Sequence, residues 1–225
     1  MPRLTLTFDN GPTPGITEQV LDTLDAADLR ATFFLVGTQL ERPGARRLAE
    51  RALASGHRLG SHTYSHGEPL GTQPPEVIET EILRMRELMG DLAGDELLFR
   101  PNGKGRMGPH LLSQQAVETL ADLRATIVLW TSVPKDRAAV VDRPDAWLAD
   151  ARQAVRDTEW TLMVLHDRPS GFPAPGPMAF LPEFLAWAKD TAEIVQEFPA
   201  ACTPMRKGIT APELACFVTP ASARI

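Results

Sequence analysis

Two histidines four positions apart, His62 and His66, stand in the stretch GSHTYSH. On a helical turn, side chains at i and i+4 share one face, so both imidazoles can reach a single divalent cation. With a third ligand, usually an oxygen, such a centre keeps a position for water and suits hydrolysis. Taken alone, such a pair more often reflects chance or core packing. Its company favours chemistry. Asp9 and Asn10 end one apolar run, Arg100 ends another, Asp136 follows a third, and His166 with Asp167 ends a fourth. A histidine at such a place is either satisfied in a turn or a general acid, because its ordinary pKa lies near working pH. An arginine there is either a plain surface residue or the partner that keeps the Asp9 carboxylate ionised.

Something must carry these residues to one place. Residues 4–8, 31–36, 57–61, 97–99, 125–130 and 161–165 read as short strands, and residues 16–29, 44–55, 74–89, 111–123, 144–158 and 180–198 carry helical apolar stripes. The last stripe takes in Leu181, Phe184, Leu185, Trp187, Ala188 and Val195. Apolar strands separated by helices imply a parallel sheet covered on both faces. With residues 216–218 as a seventh strand, the expectation is an α/β fold: a short, distorted (β/α) barrel of about seven parallel strands. Function in such folds gathers where strands stop and loops begin. The Pro/Gly-rich loop 168–177 is a candidate rim. The 225 residues are expected to form a single domain, with 199–225 a poorly patterned tail.

Composition narrows the partners. With 23 Lys and Arg against 29 Asp and Glu the net charge is −6, and no basic stripe marks a nucleic-acid binder. Arg42, Arg46, Arg47 and Arg51 have helical spacing and read as a solvated helix face. No apolar run approaches the ~18 residues of a membrane helix. A strand pattern follows Met1 almost at once, with no apolar leader, so the expected location is cytoplasmic. The two cysteines, Cys202 and Cys216, are too few for a disulfide framework.

Taken in order, LTFDNGP, GSHTYSH, RPNGKG, VLWTSVPKDR and LMVLHD resemble the motif series of the polysaccharide deacetylase family, which includes the nodulation chitooligosaccharide deacetylases. The resemblance runs over residues 4–167 and implies a barrel with fewer than eight repeats. It also implies a divalent metal, usually zinc, and hydrolysis of an N-acetyl group on an amino sugar. By this resemblance Asp9 is the general base toward the metal-bound water, and Asn10, His62 and His66 are the metal ligands. His166 protonates the leaving amine, Asp136 tunes His166, and Arg100 holds Asp9. A backbone N–H near Asn102 and Gly103 meets substrate and, with the metal, the oxyanion.

The sequence departs from that series at three places. Asn10 replaces the family's second aspartate. Arg100-Pro101-Asn102-Gly103 is one residue short, with Asn102 in place of an aromatic. Val133 stands for the first aspartate of the fourth motif and Arg137 for its tryptophan. A neutral amide compensates less of a cation's charge than a carboxylate, so affinity should fall and bound water should become more acidic. Asn10 also precedes Gly11, the pairing most prone to deamidation, which would restore aspartate. Two other readings remain at this stage: an amidohydrolase acting on a small cyclic imide or ureide, with or without metal, and a non-catalytic carbohydrate binder.

Overall fold

β1 (Arg3–Asp9) alternates Leu4, Leu6 and Phe8 with Thr5, Thr7 and Asp9, and both faces are buried. Period-2 geometry therefore puts Asp9 on the same face as Thr7, at the strand's carboxyl end. The computed structural model describes residues 1–136, 143–169 and 171–220. Beyond β1 come α1 (Thr17–Ala26), β2 (Thr32–Leu35), a one-turn α2 (Gly37–Leu40), α3 (Ala45–Ala54) and β3 (Arg58–Ser61). They are followed by α4 (Met85–Met89), β4 (Leu98–Phe99), α5 (Gln114–Asp122), β5 (Thr126–Ile127), α6 (Trp147–Asp157) and β6 (Trp160–His166). The chain ends with α7 (Leu181–Thr191), β7 (Glu193–Val195), β8 (Met205–Arg206) and β9 (Ile209–Thr210).

The strands run parallel in the order β6-β1-β2-β3-β4-β5, with β8 and β9 joined antiparallel beyond β5. β7 lies parallel to residues 3–5 of β1, while β2 lies parallel to residues 7–9. The sheet curls until Ser132, just past β5, bridges Met163 of β6, and Val164 N–H donates to Ser132 O at 2.9 Å. Among the described residues this makes a distorted barrel of seven parallel strands, drawn together at the seam by one bridge.

Several element boundaries differ from the pattern reading. Residues 180–198 are not one helix: α7 stops at Thr191 and Val195 belongs to β7. The seventh parallel strand is therefore Glu193–Val195, whereas Pro212–Phe217 is a 3₁₀ turn. The stretch after Pro199 is structured through residue 220, because the β8–β9 hairpin pairs with β5. In 74–89 the helical path begins at Val77 and passes through a π turn (Glu79–Arg84) into α4. Pro74 and Pro75 lie just ahead of its first turn, where their missing N–H groups cost no helical hydrogen bond. Strand pairing in 125–130 covers just two residues, and beyond them Val128 and Leu129 instead offer carbonyls to a buried arginine.

The core is continuous under the sheet. Phe8 stacks on Phe33 with centroids 5.0 Å apart, and Trp147, fully buried on α6, donates from Nε1 to Pro177 O at 3.1 Å. Each such aromatic or leucine buried contributes roughly 1.5–3 kcal/mol. Cys202 is buried and Cys216 exposed, and both are free thiols. Among the described residues no helix is long and apolar enough to cross a membrane.

Candidate active site

The register brings the strand ends level: Asp9 lies opposite Phe34 on β2 and opposite His166 on β6. Asp9 is 4% exposed. Its Oδ1 accepts from Arg100 Nη1 at 2.7 Å, and its Oδ2 lies 3.5 Å from His62 Nε2. Burial pushes the Asp9 carboxyl up, but the positive charge of Arg100, with smaller help from His62 and His166, overrides it and holds the group below its ordinary pKa.

Arg100, immediately after β4, is fully buried, and each of its three guanidinium nitrogens donates a hydrogen bond. Nη1 also donates to Thr7 Oγ1 at 2.7 Å, Nε to Val128 O at 3.1 Å and Nη2 to Leu129 O at 3.2 Å. The guanidinium carbon sits 3.9 Å from the Phe34 ring centroid. A buried cation is tolerable only with a counter-charge and hydrogen bonds of this kind.

His62 and His66 meet, with ring centroids 4.9 Å apart, but no helical turn joins them. Thr63 and His66 adopt left-handed backbone angles (φ +65° and +54°), which break the helical path expected from their spacing. The loop is pinned instead: Tyr64 N–H donates to Glu81 O at 3.2 Å, Ser65 N–H to Glu81 Oε2 at 3.1 Å, and His66 N–H to Thr63 Oγ1 at 3.2 Å. His62 Nδ1 donates to Arg100 O at 2.9 Å, which leaves Nε2 with its lone pair facing the site. Burial pushes the His62 imidazole down, and burial, with repulsion from His62 whenever that ring is protonated, pushes His66 down to about 3.

Asn10 completes the cluster. It is 5% exposed, takes a left-handed angle (φ +78°) that asparagine tolerates well, and its Oδ1 is buried with no hydrogen-bond partner in the protein. Among the described residues no three His, Cys, Asp or Glu side chains form a metal-holding group. The donor set is two neutral imidazoles plus a carboxamide oxygen whose lone pairs nothing else uses. Those residues fit a divalent cation of the zinc type, held by two nitrogens and one oxygen.

His166 faces them across the pocket. Its Nδ1 donates to Asp136 Oδ1 at 2.7 Å, and its backbone N–H donates to Asp136 Oδ2 at 2.6 Å. Both carboxylate oxygens of Asp136 thus grip one residue, which fixes the ring and directs Nε2 outward. Asp9, Asn10, His62, His66, Asn102 and His166 line a hollow of about 40 Å³. That is room for about three waters, or a group of that size. The side chain of Asn102 accepts from Lys104 N–H at 3.0 Å and donates to Gly67 O, so it ties two rim loops together. Gly103 is required by contact, because a Cβ there would lie 2.4 Å from Arg106 O and 2.8 Å from the Trp130 ring. Trp130 and Val133 form an apolar side of the hollow. Arg137 lies outside the described residues.

Thr7 had no clear mark in the sequence, and Asp167 was marked only by its place beside His166 at a strand end. Thr7 receives the same guanidinium nitrogen as Asp9; its position two residues earlier on one face of β1 was the available signal. Asp167 is a buried carboxyl pushed up to about 7 by burial, and its Oδ2 accepts from Thr17 Oγ1 at 2.6 Å. Thr17 in turn accepts from Thr13 N–H at 2.7 Å. A Cβ on Gly11 would lie 2.1 Å from Asp167 Oδ2, so the loop that presents Asn10 rests directly on this carboxyl. Thr17 lies on α1 and carries no sequence signal for the contact.

The polysaccharide deacetylase family model matches residues 2–123. The chain is similar to a chitooligosaccharide deacetylase of Bradyrhizobium sp. (strain ANU 289), 31% identical over 170 residues, 75% of this chain and 70% of that one. It is also similar to the peptidoglycan-N-acetylglucosamine deacetylase PgdA of Listeria monocytogenes, 38% identical over 93 residues. That alignment takes in 41% of this chain and 19% of the Listeria protein, so the chain matches about a fifth of that relative's length. Among solved structures, the Bc1960 peptidoglycan N-acetylglucosamine deacetylase superposes with a TM-score of 0.69 at 25% identity, covering 86% of this chain and 85% of that one.

Proposed function

We propose, from the premise that this chain belongs to the polysaccharide deacetylase family, that it hydrolyses the N-acetyl group of an amino-sugar oligomer to a free amine and acetate. The observation that carries this reading is the pair of opposed dyads. Arg100–Asp9 and Asp136–His166 flank one small hollow, with two neutral histidines and an unpartnered carboxamide oxygen on its wall.

Asn10, His62 and His66 would hold a divalent cation, which when bound acidifies water and polarises the acetyl carbonyl. Asp9 acts as base through Oδ2, the oxygen that Arg100 leaves unoccupied. It takes a proton from the water that attacks the acetyl carbon. The Arg100 clamp keeps Asp9 ionised and fixes its direction, at the cost of a weaker base. His166, held through Nδ1, presents Nε2 to the leaving nitrogen and delivers the proton that lets the C–N bond break. The atoms balance: amide and water become amine and acetate. Asn102 and Gly103 form the substrate-facing rim, where a backbone N–H meets the developing oxyanion. Val133 offers no second carboxylate, so Asp136 alone orients the acid.

The test is acetate release from N-acetylglucosamine oligomers by zinc-loaded protein, with equal formation of free amine. Asp9→Asn should lower the rate by on the order of 10²–10⁴ while keeping a native circular dichroism spectrum, with a lower melting temperature because buried Arg100 loses its counter-charge. Absence of acetate release at every metal loading would falsify the proposal.

A further inference from the structure

Asn10 and Asn102 are the only asparagines in the chain, each is followed by glycine, and both line the same hollow. A glycine has no Cβ to keep its nitrogen away from the preceding side-chain amide, so this dipeptide loses that amide more readily than others. We propose that Asn10 is a self-modification site of the folded protein, converted to aspartate through its own neighbour Gly11, while Asn102 is held as asparagine. The proposal concerns the chain's own chemistry and does not depend on the hydrolytic reading.

The step balances. Gly11 N attacks Asn10 Cγ and forms an N–C bond. The bond from Cγ to Nδ2 breaks, and ammonia leaves with the proton of the Gly11 N–H. The resulting succinimide takes up one water. Opening at Cγ leaves aspartate in an ordinary main chain; opening at the backbone carbonyl carbon leaves isoaspartate, with the chain routed through Cβ. Water is at hand, because Asn10 lines both the hollow of about 40 Å³ and an adjoining one of about 290 Å³.

Hydrogen bonding separates the two asparagines. Among the described residues the Asn10 side chain makes no hydrogen bond, its Oδ1 is buried without a partner, and the Gly11 N–H has no acceptor. Nothing on the amide or on the attacking nitrogen has to be broken first. Asn102 is tied at both ends of its amide: Oδ1 accepts from Lys104 N–H at 3.0 Å, and Nδ2 donates to Gly67 O. Both bonds must open before that amide can turn toward Gly103. The main chain selects the product at Asn10. Asn10 N–H donates to Phe34 O at 3.3 Å, and Gly11 O accepts from Val36 N–H at 3.0 Å. A crankshaft turn of the peptide between them leaves both anchors in place, with Gly11 absorbing the dihedral change. An extra methylene in the chain would pull them apart, so aspartate fits and isoaspartate does not. The new carboxylate shares the hollow with His62 and His66 and gives that donor set a negative charge.

The test follows mass, not activity. Freshly purified, metal-free protein is incubated at neutral pH in heavy-oxygen water, folded in one arm and unfolded in urea in the other, and both sites are then read by peptide mass analysis. Incorporated heavy oxygen marks each amide lost during the incubation. In the folded protein Asn10 should convert about tenfold faster than Asn102, the effect of two hydrogen bonds that only Asn102 must release. Aspartate should exceed isoaspartate at Asn10. In urea the two sites should convert at similar rates, because the dipeptide is the same. Fresh protein that already carries aspartate at position 10, with Asn102 intact, supports the proposal in the same sense. A folded-state rate at Asn10 no greater than that at Asn102, or a product that is mainly isoaspartate, overturns it. A difference of the same size in urea overturns it too, since the flanking sequence and not the fold would then set the rates.

Discussion

Asn10 supplies oxygen but no charge, and the consequence is measurable. Replacing its amide by a carboxylate adds one negative charge at first contact with the cation, where Coulomb attraction is little screened. Asn10→Asp should therefore tighten zinc binding by at least about tenfold, equivalent to ~1.4 kcal/mol, in competition with a chromophoric chelator. Peptide mass analysis must first establish that the wild-type sample still carries Asn10, because deamidation before Gly11 would turn it into the variant. Equal affinity of the two proteins would place Asn10 outside the coordination shell. Asp136 sets the other limit of the residue argument. It accepts from both the ring and the backbone N–H of His166, so Asp136→Asn keeps its shape but sets an amide N–H2 or a weaker oxygen against Nδ1. The expected result is a kcat lowered by on the order of 10²–10⁴ with KM little changed. A kcat within a factor of two of wild type would remove Asp136 from the mechanism.

Between elements, Arg100 acts as a clamp. It follows β4, bonds Thr7 and Asp9 on β1, takes two carbonyls from the chain after β5 and stacks on Phe34 of β2. Arg100→Met fills much of the volume but leaves Asp9 as a buried, unpaired charge. It should destabilise the fold by ~3–5 kcal/mol in urea unfolding, and R100M/D9N should recover a large part of that loss. If the double variant were as unstable as R100M, the loss would come from packing and not from the stranded carboxylate. This clamp was visible in the sequence only as an arginine at a strand end. Strand cores and the parallel character of the sheet were legible because short apolar runs separated by helical stripes leave little else to form. Where the pattern misled, a helical stripe happened to continue past its helix, as at Val195. Strand pairings as short as β8 and β9 show no period at all. In the site, residue identities were legible and the path between them was not. Spacing suggested a helix for His62 and His66, while left-handed angles at Thr63 and His66, imposed by hydrogen bonds to distant Glu81, make the contact. The chain from Asp167 through Thr17 to the loop of Asn10 depends wholly on tertiary approach.

For the molecule as a whole, buried titratable groups set opposing pH dependences. His57 on the approach to β3 is 2% exposed, and its Nδ1 accepts from Ala31 N–H at 3.1 Å. Burial pushes it down to about 4. The unfolded chain, at the ordinary 6.5, then binds a proton that the folded chain refuses, so stability falls as pH drops from 6.5 to about 4. His62 and His66 are depressed in the same sense, and so add to the loss on acidification. Asp167 works the other way. Its folded pKa of about 7 lies above the ordinary 3.8, so the folded state holds a proton that the unfolded state releases. The contribution is full below 3.8 and is lost as pH rises through about 7. Asp167→Asn mimics the protonated acid at every pH. Relative to wild type, it should gain stability progressively from pH 4 to 7, by up to ~4 kcal/mol, and then level off. His57→Gln should gain relative to wild type only on acidification below 6.5, by up to ~3 kcal/mol. Urea unfolding at four pH values between 4.5 and 7.5 reads both difference curves, metal-free to keep the ligand equilibrium out. A flat D167N difference would mean that Asp167 is ionised in the folded protein. The loop carrying Asn10, which rests on Asp167 at Gly11, would then sit against a charge.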